Sequence, residues 1–348
     1  MSVLHVIAPR DGSSSHALVG LMKLAMQRLP QSHHLLVLGD AEDASSFRSQ
    51  GVSVLGAVQG QVNRSRTLGA RMQRTVRAIT TKKDTMIAWG WDAATSISGI
   101  NSVHKTIAYV DAIETGSMPT LAIDRIIPTT WTHAKHLNQK NKSSHIVTEP
   151  LVGIHSNTLV VDRASVYQGL GVQASSPIVT TLNNRGDWKQ LVAFLVQMRS
   201  LGEEVILVIP NEYDWYSELY FALEEHGLEH ALRQVTTGLR LIDIVHSSAI
   251  AWAPTSTVKG SVEGILDVLN AAASGIPTVT SFDHPIAGLP TVGSRIAQVT
   301  SSIEFCAWVK ALLQTPQKES DLALELGARI RSIASPSRFV EGLQLRLQ

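Results

Sequence analysis

Short apolar runs alternate with stretches of helical spacing along this chain, and this alternation constrains the fold more than any other feature. The runs VLHVIA, TMIAW and EVILVIP are almost continuously apolar. The stretches HALVGLMKLAMQRL and WKQLVAFLVQMRSLG instead carry apolar residues at about every third or fourth position, which is the spacing of a helix face. Apolar strands joined by helices are typical of a mostly parallel sheet covered on both faces. The sequence therefore predicts an α/β fold.

The alternation occurs as two series of similar size. Between them, residues 155–176 (HSNTLVVDRASVYQGLGVQASS) have weak periodicity, and we interpret them as the connection. A length of 348 residues also suits two domains, at roughly 100–200 residues each. We predict one domain at residues 1–165, a second at residues 166–335 and a terminal helix at residues 336–348. Two such sheets facing each other leave a cleft, which is the usual place for a ligand.

The composition argues against several classes of protein. A formal net charge of +1 gives no indication of a nucleic-acid-binding face. With one cysteine the chain cannot form an internal disulfide, and the pattern IEFCAWVKALL predicts that Cys306 is a small core residue. The start MSVLHVIAPR lacks the features of a signal peptide, and no stretch approaches the roughly 20 apolar residues of a membrane span. We therefore expect a cytoplasmic protein.

The run VEGILDVLNAAASGIPTV, at residues 262–279, predicts a helix, a glycine stop and a new strand. Its small residues 271–274 allow the helix to lie close on a sheet. Gly275 ends the helix, and Pro277 precedes the β-branched start of the strand.

The polar segment TSTVKGS precedes this helix and follows the apolar run 249–253. It therefore opens at the carboxyl end of a strand, where ligands bind in parallel sheets. Gly260 allows close backbone approach, Ser261 can cap the helix and Lys259 adds positive charge. The segment is either an anion site or an ordinary capped helix start.

Several motifs together resemble those of one enzyme family. VLHVIAPRDGSSSHALVGLMKLAMQRL looks like the first strand, Gly-containing loop and first helix of the group-1, or family-4, retaining glycosyltransferases. HIVTEPLVGIHSN looks like the strand before their interdomain linker, and VDRASVYQGLGV like the short helix before their second domain. LNAAASGIPTVTS is similar to their most recognisable run, AxAxGxPVV. The motifs also follow the family's order along the chain.

The resemblance implies the GT-B fold, in which two Rossmann-like domains with parallel sheets face each other across a cleft. It also implies that the terminal helix crosses back onto the first domain. The donor substrate would be a nucleotide-diphosphate sugar, and the acceptor a glycan, a lipid-linked molecule or a small molecule. No cofactor and no metal ion are implied, because protein groups stabilise the leaving diphosphate.

The resemblance further indicates donor-site residues in the second domain. The family places an Arg and a Lys after the first strand of this domain, and TLNNRGDWKQ offers Arg185 and Lys189, one residue closer together. In the family pattern EGFGxxxxEAxAxGxP, one Glu contacts the donor sugar and the other binds the ribose. Glu263 stands one position late for the first role, although an acid there also suits a helix start. Asn270 replaces the second Glu and offers an amide without charge. The catalytic candidates are Glu263, Arg185 and Lys189, and the donor-binding candidates are Lys259, Gly260, Ser261, Gly264, Asn270 and Thr236.

In the first domain, the loop DGSSSH stands where the family's Gly-rich loop approaches donor and acceptor. After the TMIAW strand the family often has HxHD, whereas this chain has WGWDAA, so tryptophans replace the histidines. Trp89 and Trp91 either stack on a sugar ring or pack in the core. The candidates for the acceptor side of the cleft are Gly12, Ser13, His16 and Asp92.

Two further segments carry basic side chains. Residues 64–77 contain five arginines and no acidic residue. This is either a solvated helix face or, as in some relatives, a surface for an anionic acceptor or the inner membrane face. His133 and His136 share one helix face, but no carboxylate or cysteine stands at ligand spacing. We interpret them, together with His33 and His34, as surface residues.

The favoured hypothesis is a glycosyltransferase that moves a sugar from a nucleotide-diphosphate donor with retention. The alternative is a relative that binds a nucleotide sugar or a partner without turnover, since the second Glu and the histidine are replaced. A Rossmann oxidoreductase is poorly supported, because no GxGxxG follows the first strand. Nucleotide-sugar epimerases share the fold but have no specific support in the sequence.

Overall fold

The computed structural model describes the following residues: 2–8, 16–39, 41–49, 52–57, 74–76, 78–110, 122–140, 146–154, 161–182, 186–211, 213, 215–235, 239–254, 265–281, 289 and 296–348.

The described residues form strands and helices that alternate along the chain. In chain order the strands are β1 (Ser2–Ile7), β2 (Ser32–Val37), β3 (Val54–Ala57), β4 (Thr85–Trp89), β5 (Lys105–Val110), β6 (Arg125–Pro128), β7 (Ile146–Val147), β8 (Ile178–Thr181), β9 (Ile206–Ile209), β10 (Leu232–Gln234), β11 (Ile250–Ala253), β12 (Thr278–Ser281) and β13 (Ala297–Val299). The helices are α1 (His16–Arg28), α2 (Ala41–Ser49), α3 (Trp91–Ile97), α4 (Trp131–Lys140), α5 (Arg163–Leu170), α6 (Trp188–Ser200), α7 (Tyr216–Glu225), α8 (Leu241–Ser247), α9 (Ile265–Ala273), α10 (Ser302–Gln314), α11 (Pro316–Ile333) and α12 (Pro336–Leu347).

The chain divides into two compact units, each with its own sheet. One unit consists of Met1–His155, Gly264–Leu266 and Ala334–Gln348, and the other of Ser156–Glu263 and Asp267–Ile333. The first sheet has the strand order β3-β2-β1-β4-β5-β6-β7, and the second has the order β10-β9-β8-β11-β12-β13. All of the described strand pairs are parallel. The predicted α/β class with two parallel-sheet domains is confirmed.

The central strands of the first sheet, β1, β4 and β5, are buried on both faces. Along β1, Val3 and Ile7 contribute to one apolar core, whereas Leu4 and Val6 contribute to another. Successive side chains of a strand point to opposite faces, so a continuous apolar run supplies two cores at once. This explains why the strand sequences are apolar throughout instead of alternating.

Helices cover both faces of this sheet. Helices α1 and α12 contribute Leu21 and Phe339 to one core. Helices α3 and α4 contribute Ile97 and Leu137 to the other. Because the chain must cross over between parallel strands, α1, α3 and α4 also form connections between the strands, whereas α12 is the last helix of the chain.

The second sheet carries its own core. Helix α6 supplies Phe194, which packs against Trp252 of β11 and Phe305 of α10 with ring centroids 5.4 and 4.9 Å away. Cys306 is 1% exposed, and its Sγ lies 3.6 Å from the carbonyl oxygen of Phe194. Burial raises the pKa of this thiol to about 11. The prediction that Cys306 is a small core residue is confirmed.

The AAASGIP run ends helix α9 against helix α11. Gly275 has a φ of +78°, the left-handed conformation that ends many helices. A Cβ at Gly327 of α11 would lie 2.8 Å from the carbonyl oxygen of Ala272 and 3.0 Å from the nitrogen of Gly275. The guanidinium of Arg331 donates to the carbonyl of Ala273. Two backbones therefore meet where the sequence offers only small residues, and a cation caps the helix end.

The terminal helix α12 is part of the first unit. Phe339 contacts the Tyr109 ring edge-on, with centroids 5.6 Å apart, and is fully buried. A Cβ at Gly153 would lie 2.6 Å from the Phe339 ring, so a glycine at that position makes room for the phenyl group.

Charge holds the end of the same helix. Lys105 Nζ donates to the carbonyl of Leu347 at 3.2 Å, and Arg125 Nη1 donates to that of Arg346 at 2.7 Å. These cations lie on strands β5 and β6 and compensate the negative end of the helix dipole. Apolar contacts and charge together fix α12 to the first sheet.

A chain of hydrogen bonds, buried at Trp89 and His5 and half-buried at His33, runs across three strands of the first sheet. Trp89 Nε1 donates to His5 Nδ1 at 2.9 Å, and His5 Nε2 lies 2.9 Å from His33 Nδ1. His33 Nε2 in turn lies 3.2 Å from the carbonyl oxygen of Leu29. Since the indole can only donate, the neutral form of each imidazole donates through Nε2. Burial, together with the neighbouring His33, lowers the pKa of His5 well below its usual value.

We expect Gly327→Ala to lower the free energy of unfolding by about 1–3 kcal/mol, because the added methyl group meets backbone atoms that cannot move aside. Urea unfolding at neutral pH measures this loss. The exposed neighbour Ala328 offers a control, and Ala328→Ser should change stability by about 0.5 kcal/mol or less. A stabilised Gly327→Ala variant, as expected for a glycine in an open helix, would contradict the close approach.

We expect the protein to lose stability as the pH falls below about 6.5, the ordinary pKa of histidine. The unfolded chain then binds protons at His5 and His33 that the native protein excludes, because burial lowers both pKa values. For His5 the loss amounts to about 2 kcal/mol between roughly pH 6.5 and pH 5. His5→Gln keeps an acceptor for Trp89 but does not titrate, so the loss should be clearly smaller in this variant. Comparing urea unfolding at about pH 7.5 and pH 5 for both proteins cancels any pH-independent effect of the substitution, and equal losses would contradict this account.

Candidate functional site

Each sheet has one place where the strand order reverses. In the first sheet this place lies between β1 and β4, and in the second it lies between β8 and β11. The connections that leave two such strands turn away from each other and leave a crevice at the carboxyl ends. These two edges are the candidate ligand-binding regions of the two units.

In the second sheet, the two strands at this place end at the same level. Thr181 of β8 pairs with Trp252 of β11, and the amide of Leu182 donates to the Trp252 carbonyl at 2.8 Å. The chain leaves β8 toward residues 183–187 and leaves β11 toward residues 255–264. The two segments in which the sequence predicts diphosphate contacts therefore start side by side.

Most of the predicted donor-site residues lie outside the described part of the chain. These residues are Arg185, Thr236, Lys259, Gly260, Ser261, Glu263 and Gly264. The assignments made for them stay predictions.

Lys189 lies in the first turn of α6 and is exposed. Its Nζ lies 5.6 Å from the centroid of the Trp188 ring, within the range of a cation–π contact. Asp187 caps this helix, and its Oδ1 accepts from the amide of Lys189 at 3.0 Å. The ammonium group is therefore accessible, whereas the amide of the same residue already has an acceptor.

Asn270 lies in α9 and is 3% exposed. The structure thus places this residue on the helix that follows the 255–264 segment, with its side chain turned away from bulk solvent. Its predicted contact with a ribose stays a prediction.

An ion pair that was not predicted from the sequence follows strand β10. Arg240 donates from Nε to Oδ2 of Asp243 and from Nη2 to Oδ1, both at 2.7 Å. Asp243 is fully buried, and the hydrogen bond to its carboxylate raises the pKa of Arg240. Such two-pronged pairs hold a guanidinium in one orientation. The spacing R-x-x-D at a predicted helix start was the signal available in the sequence.

In the first sheet, the corresponding edge joins β1 and β4, where Ile7 pairs with Trp89. His16 begins α1, and its side chain lies outside the described part of the structure, as do Gly12 and Ser13. Asp92 lies in the first turn of α3 and is half-buried. Because β4 pairs with β1 and α3 directly follows β4, the start of α3 lies near the end of β1.

The two tryptophans around this edge are packing residues. Trp89 is fully buried and hydrogen-bonded to His5, and Trp91 is 3% exposed. Neither ring presents a face for a sugar, so the stacking alternative is wrong and the packing alternative is correct.

The surface interpretation of His133 is also wrong. This residue is fully buried, and its ring centroid lies 6.3 Å from that of Trp91. The helical spacing was correct, but the histidine lies on the face of α4 that points to the core. The side chain of His136 lies outside the described part of the structure.

The described residues contain neither a metal-binding cluster nor a membrane-spanning helix. No group of three or more His, Cys, Asp and Glu side chains in this part of the chain is arranged to hold a metal ion. No helix within it has the length and apolar character needed to cross a bilayer. Of the five arginines in residues 64–77, Arg74 alone falls in the described ranges, and it is exposed.

No protein-family model matches the sequence, and no curated protein matches it. Solved structures, however, match the fold over almost the whole chain. HepE from Anabaena in complex with UDP-glucose is 15% identical with a TM-score of 0.75, over 99% of both chains. Sucrose-phosphate synthase from Thermosynechococcus elongatus is 12% identical with a TM-score of 0.71, over 100% of this chain and 98% of that one. UDP-GlcNAc 2-epimerase from Neisseria meningitidis, bound to UDP-GlcNAc, is 11% identical with a TM-score of 0.62, over 100% of this chain and 99% of that one.

At these identities the likeness concerns the fold alone. Two Rossmann-like units with parallel sheets, matched over the whole length by these structures, show that this chain has the GT-B fold.

Proposed function

We propose that this protein is a glycosyltransferase that moves a sugar from a nucleotide-diphosphate donor to an acceptor. The observation that carries the proposal is the adjacency of β8 and β11 at the reversal point of the second sheet. The two segments that start at these strand ends contain the basic residues and the glycines that the sequence predicts to contact a diphosphate. A leaving diphosphate needs cations and backbone amides from more than one segment.

The matched structures support the class of ligand. HepE was crystallised with UDP-glucose and with UDP, and sucrose-phosphate synthase is a synthase with the same fold. The epimerase bound to UDP-GlcNAc indicates that the fold also serves other chemistry on such donors. The sequence motifs that resemble family-4 retaining enzymes favour transfer over epimerisation.

In the proposed reaction, the bond between the anomeric carbon and the donor phosphate oxygen breaks, and the diphosphate keeps the electron pair. An acceptor hydroxyl bonds to the same face of the carbon, and its proton passes to the leaving phosphate. Arg185, Lys189 and the amides near Ser261 stabilise the developing negative charge, and Glu263 contacts the sugar. The acceptor lies beside Gly12, Ser13, His16 and Asp92.

A binding protein without turnover is the second candidate function. Asn270 stands in place of a carboxylate, and the strand end that bears a histidine in relatives bears Trp89, whose indole is fully buried. The first feature removes a negative charge and the second removes a group capable of acid–base chemistry, and both leave the fold intact. A protein with these changes could bind a nucleotide sugar without turnover.

Thermal unfolding with UDP, GDP and ADP tests the proposal. A nucleotide at about 100 times its dissociation constant should add about 2.7 kcal/mol of stability, which corresponds to a rise of several degrees in Tm. Absence of a shift with all three nucleotides would overturn nucleotide-sugar binding. If one nucleotide binds, slow hydrolysis of the matching sugar donor distinguishes the enzyme from the binding protein.

We expect Arg185→Ala and Lys189→Ala each to weaken nucleotide binding about tenfold or more, because each removes a charged hydrogen-bond donor from the diphosphate. Isothermal titration gives the affinities. Lys318 is exposed on α11, and Lys318→Ala is the matched control, with binding close to that of the parent. Unchanged binding in both test variants would show that the phosphate assignment is wrong.

A further inference from the structure

A buried tyrosine links the two connections that follow strands β9 and β8. Tyr213, which follows β9, is 5% exposed. Its hydroxyl donates to the carbonyl oxygen of Gly186, beyond the end of β8, at 2.6 Å. Gly186 is buried as well. The distance is at the short end for a hydroxyl donor, so the contact is a well-formed hydrogen bond.

This hydrogen bond acts on the backbone at the start of helix α6. Gly186 is followed by Asp187, whose carboxylate caps the helix by accepting from the amide of Lys189. Fixing the Gly186 peptide therefore fixes the position of the cap. The cap sets the direction in which the first turn, and Lys189 with it, leaves the sheet.

We propose that Tyr213 is a positioning residue for the diphosphate of the donor. It holds the Gly186–Lys189 backbone so that the cation at the start of α6 is already in place when a nucleotide binds. Such preorganisation raises affinity, because the loop need not be ordered on binding. This inference rests on the proposed function, in which Lys189 contacts the diphosphate.

The same unit contains a matched control. Tyr167 is 3% exposed, and its hydroxyl donates to the carbonyl of Ser176 at 3.1 Å. Ser176 precedes β8 at its amino end, opposite the edge where ligands bind. Tyr213→Phe and Tyr167→Phe thus each remove a hydroxyl that donates to a backbone carbonyl, at opposite ends of β8. Tyr167→Phe also removes the acceptor of a hydrogen bond from Arg163 Nη2, which lies 3.1 Å from the hydroxyl.

The first experiment does not depend on any nucleotide. Hydrogen–deuterium exchange should be faster in peptides that cover residues 186–190 in Tyr213→Phe than in the parent protein. Tyr167→Phe should leave these peptides unchanged and affect those around residue 176. Unchanged exchange at residues 186–190 in Tyr213→Phe would overturn the positioning role.

The second experiment measures affinity for UDP, GDP and ADP by isothermal titration. Tyr213→Phe should bind the preferred nucleotide about three- to tenfold more weakly, and Tyr167→Phe within about twofold of the parent. If Tyr213→Phe and Tyr167→Phe bind the nucleotide with equal affinity, the inference is overturned. Nucleotide binding by the parent protein would still support the proposed function in that case. If the parent protein binds none of the three nucleotides, the proposed function is overturned. The role of Tyr213 toward a diphosphate is then overturned as well, even if hydrogen–deuterium exchange shows that Tyr213 orders residues 186–190.

Discussion

Parallel pairing of strands that are buried on both faces is the constraint on which this structure depends. A parallel strand can be continued only through a crossover, and each crossover begins at the carboxyl edge of the sheet. The strands themselves offer little room for polar chemistry, since residues such as Leu4 and Ile7 of one strand serve two separate cores. Polar chemistry is thereby left mainly to the connections, all of which begin at the carboxyl edge of their sheet.

The same physics explains how much of the fold the sequence predicts. A strand buried on both faces is a continuous apolar run, and a helix that covers a sheet has a single apolar face, so both can be identified locally. The AAASGIP run is as informative, because a close backbone approach tolerates only small residues. Gly327, on a different helix, completes that approach from the other side. Local patterns of this kind account for the order of elements and for the two-unit organisation.

Contacts between residues far apart in the chain account for the errors and omissions. Nothing local to the WGWD motif shows that Trp89 donates to His5, which is 84 positions away. The helical spacing of His133 was correct, but its burial depends on Trp91 of another helix. Tyr213 and Gly186 belong to different connections, and only the parallel pairing of β8 with β9 brings them together. Sequence patterns therefore predict the sheet edge at which a binding site can lie. They predict less well which side chains complete that site.

The residue at the end of β4 bears on where catalysis can reside, because the family that the sequence resembles often has a histidine where this chain has Trp89. The indole N–H is already bonded to His5, so the Trp89 side chain offers neither a free donor nor a group that titrates near neutral pH. Under the proposed function, the proton of the acceptor then passes to the departing diphosphate without help from this position. The rate depends on how well the second unit stabilises the charge of that diphosphate. Orientation of cations such as Lys189, set by its capped helix start, then matters more than the side chain at the end of β4.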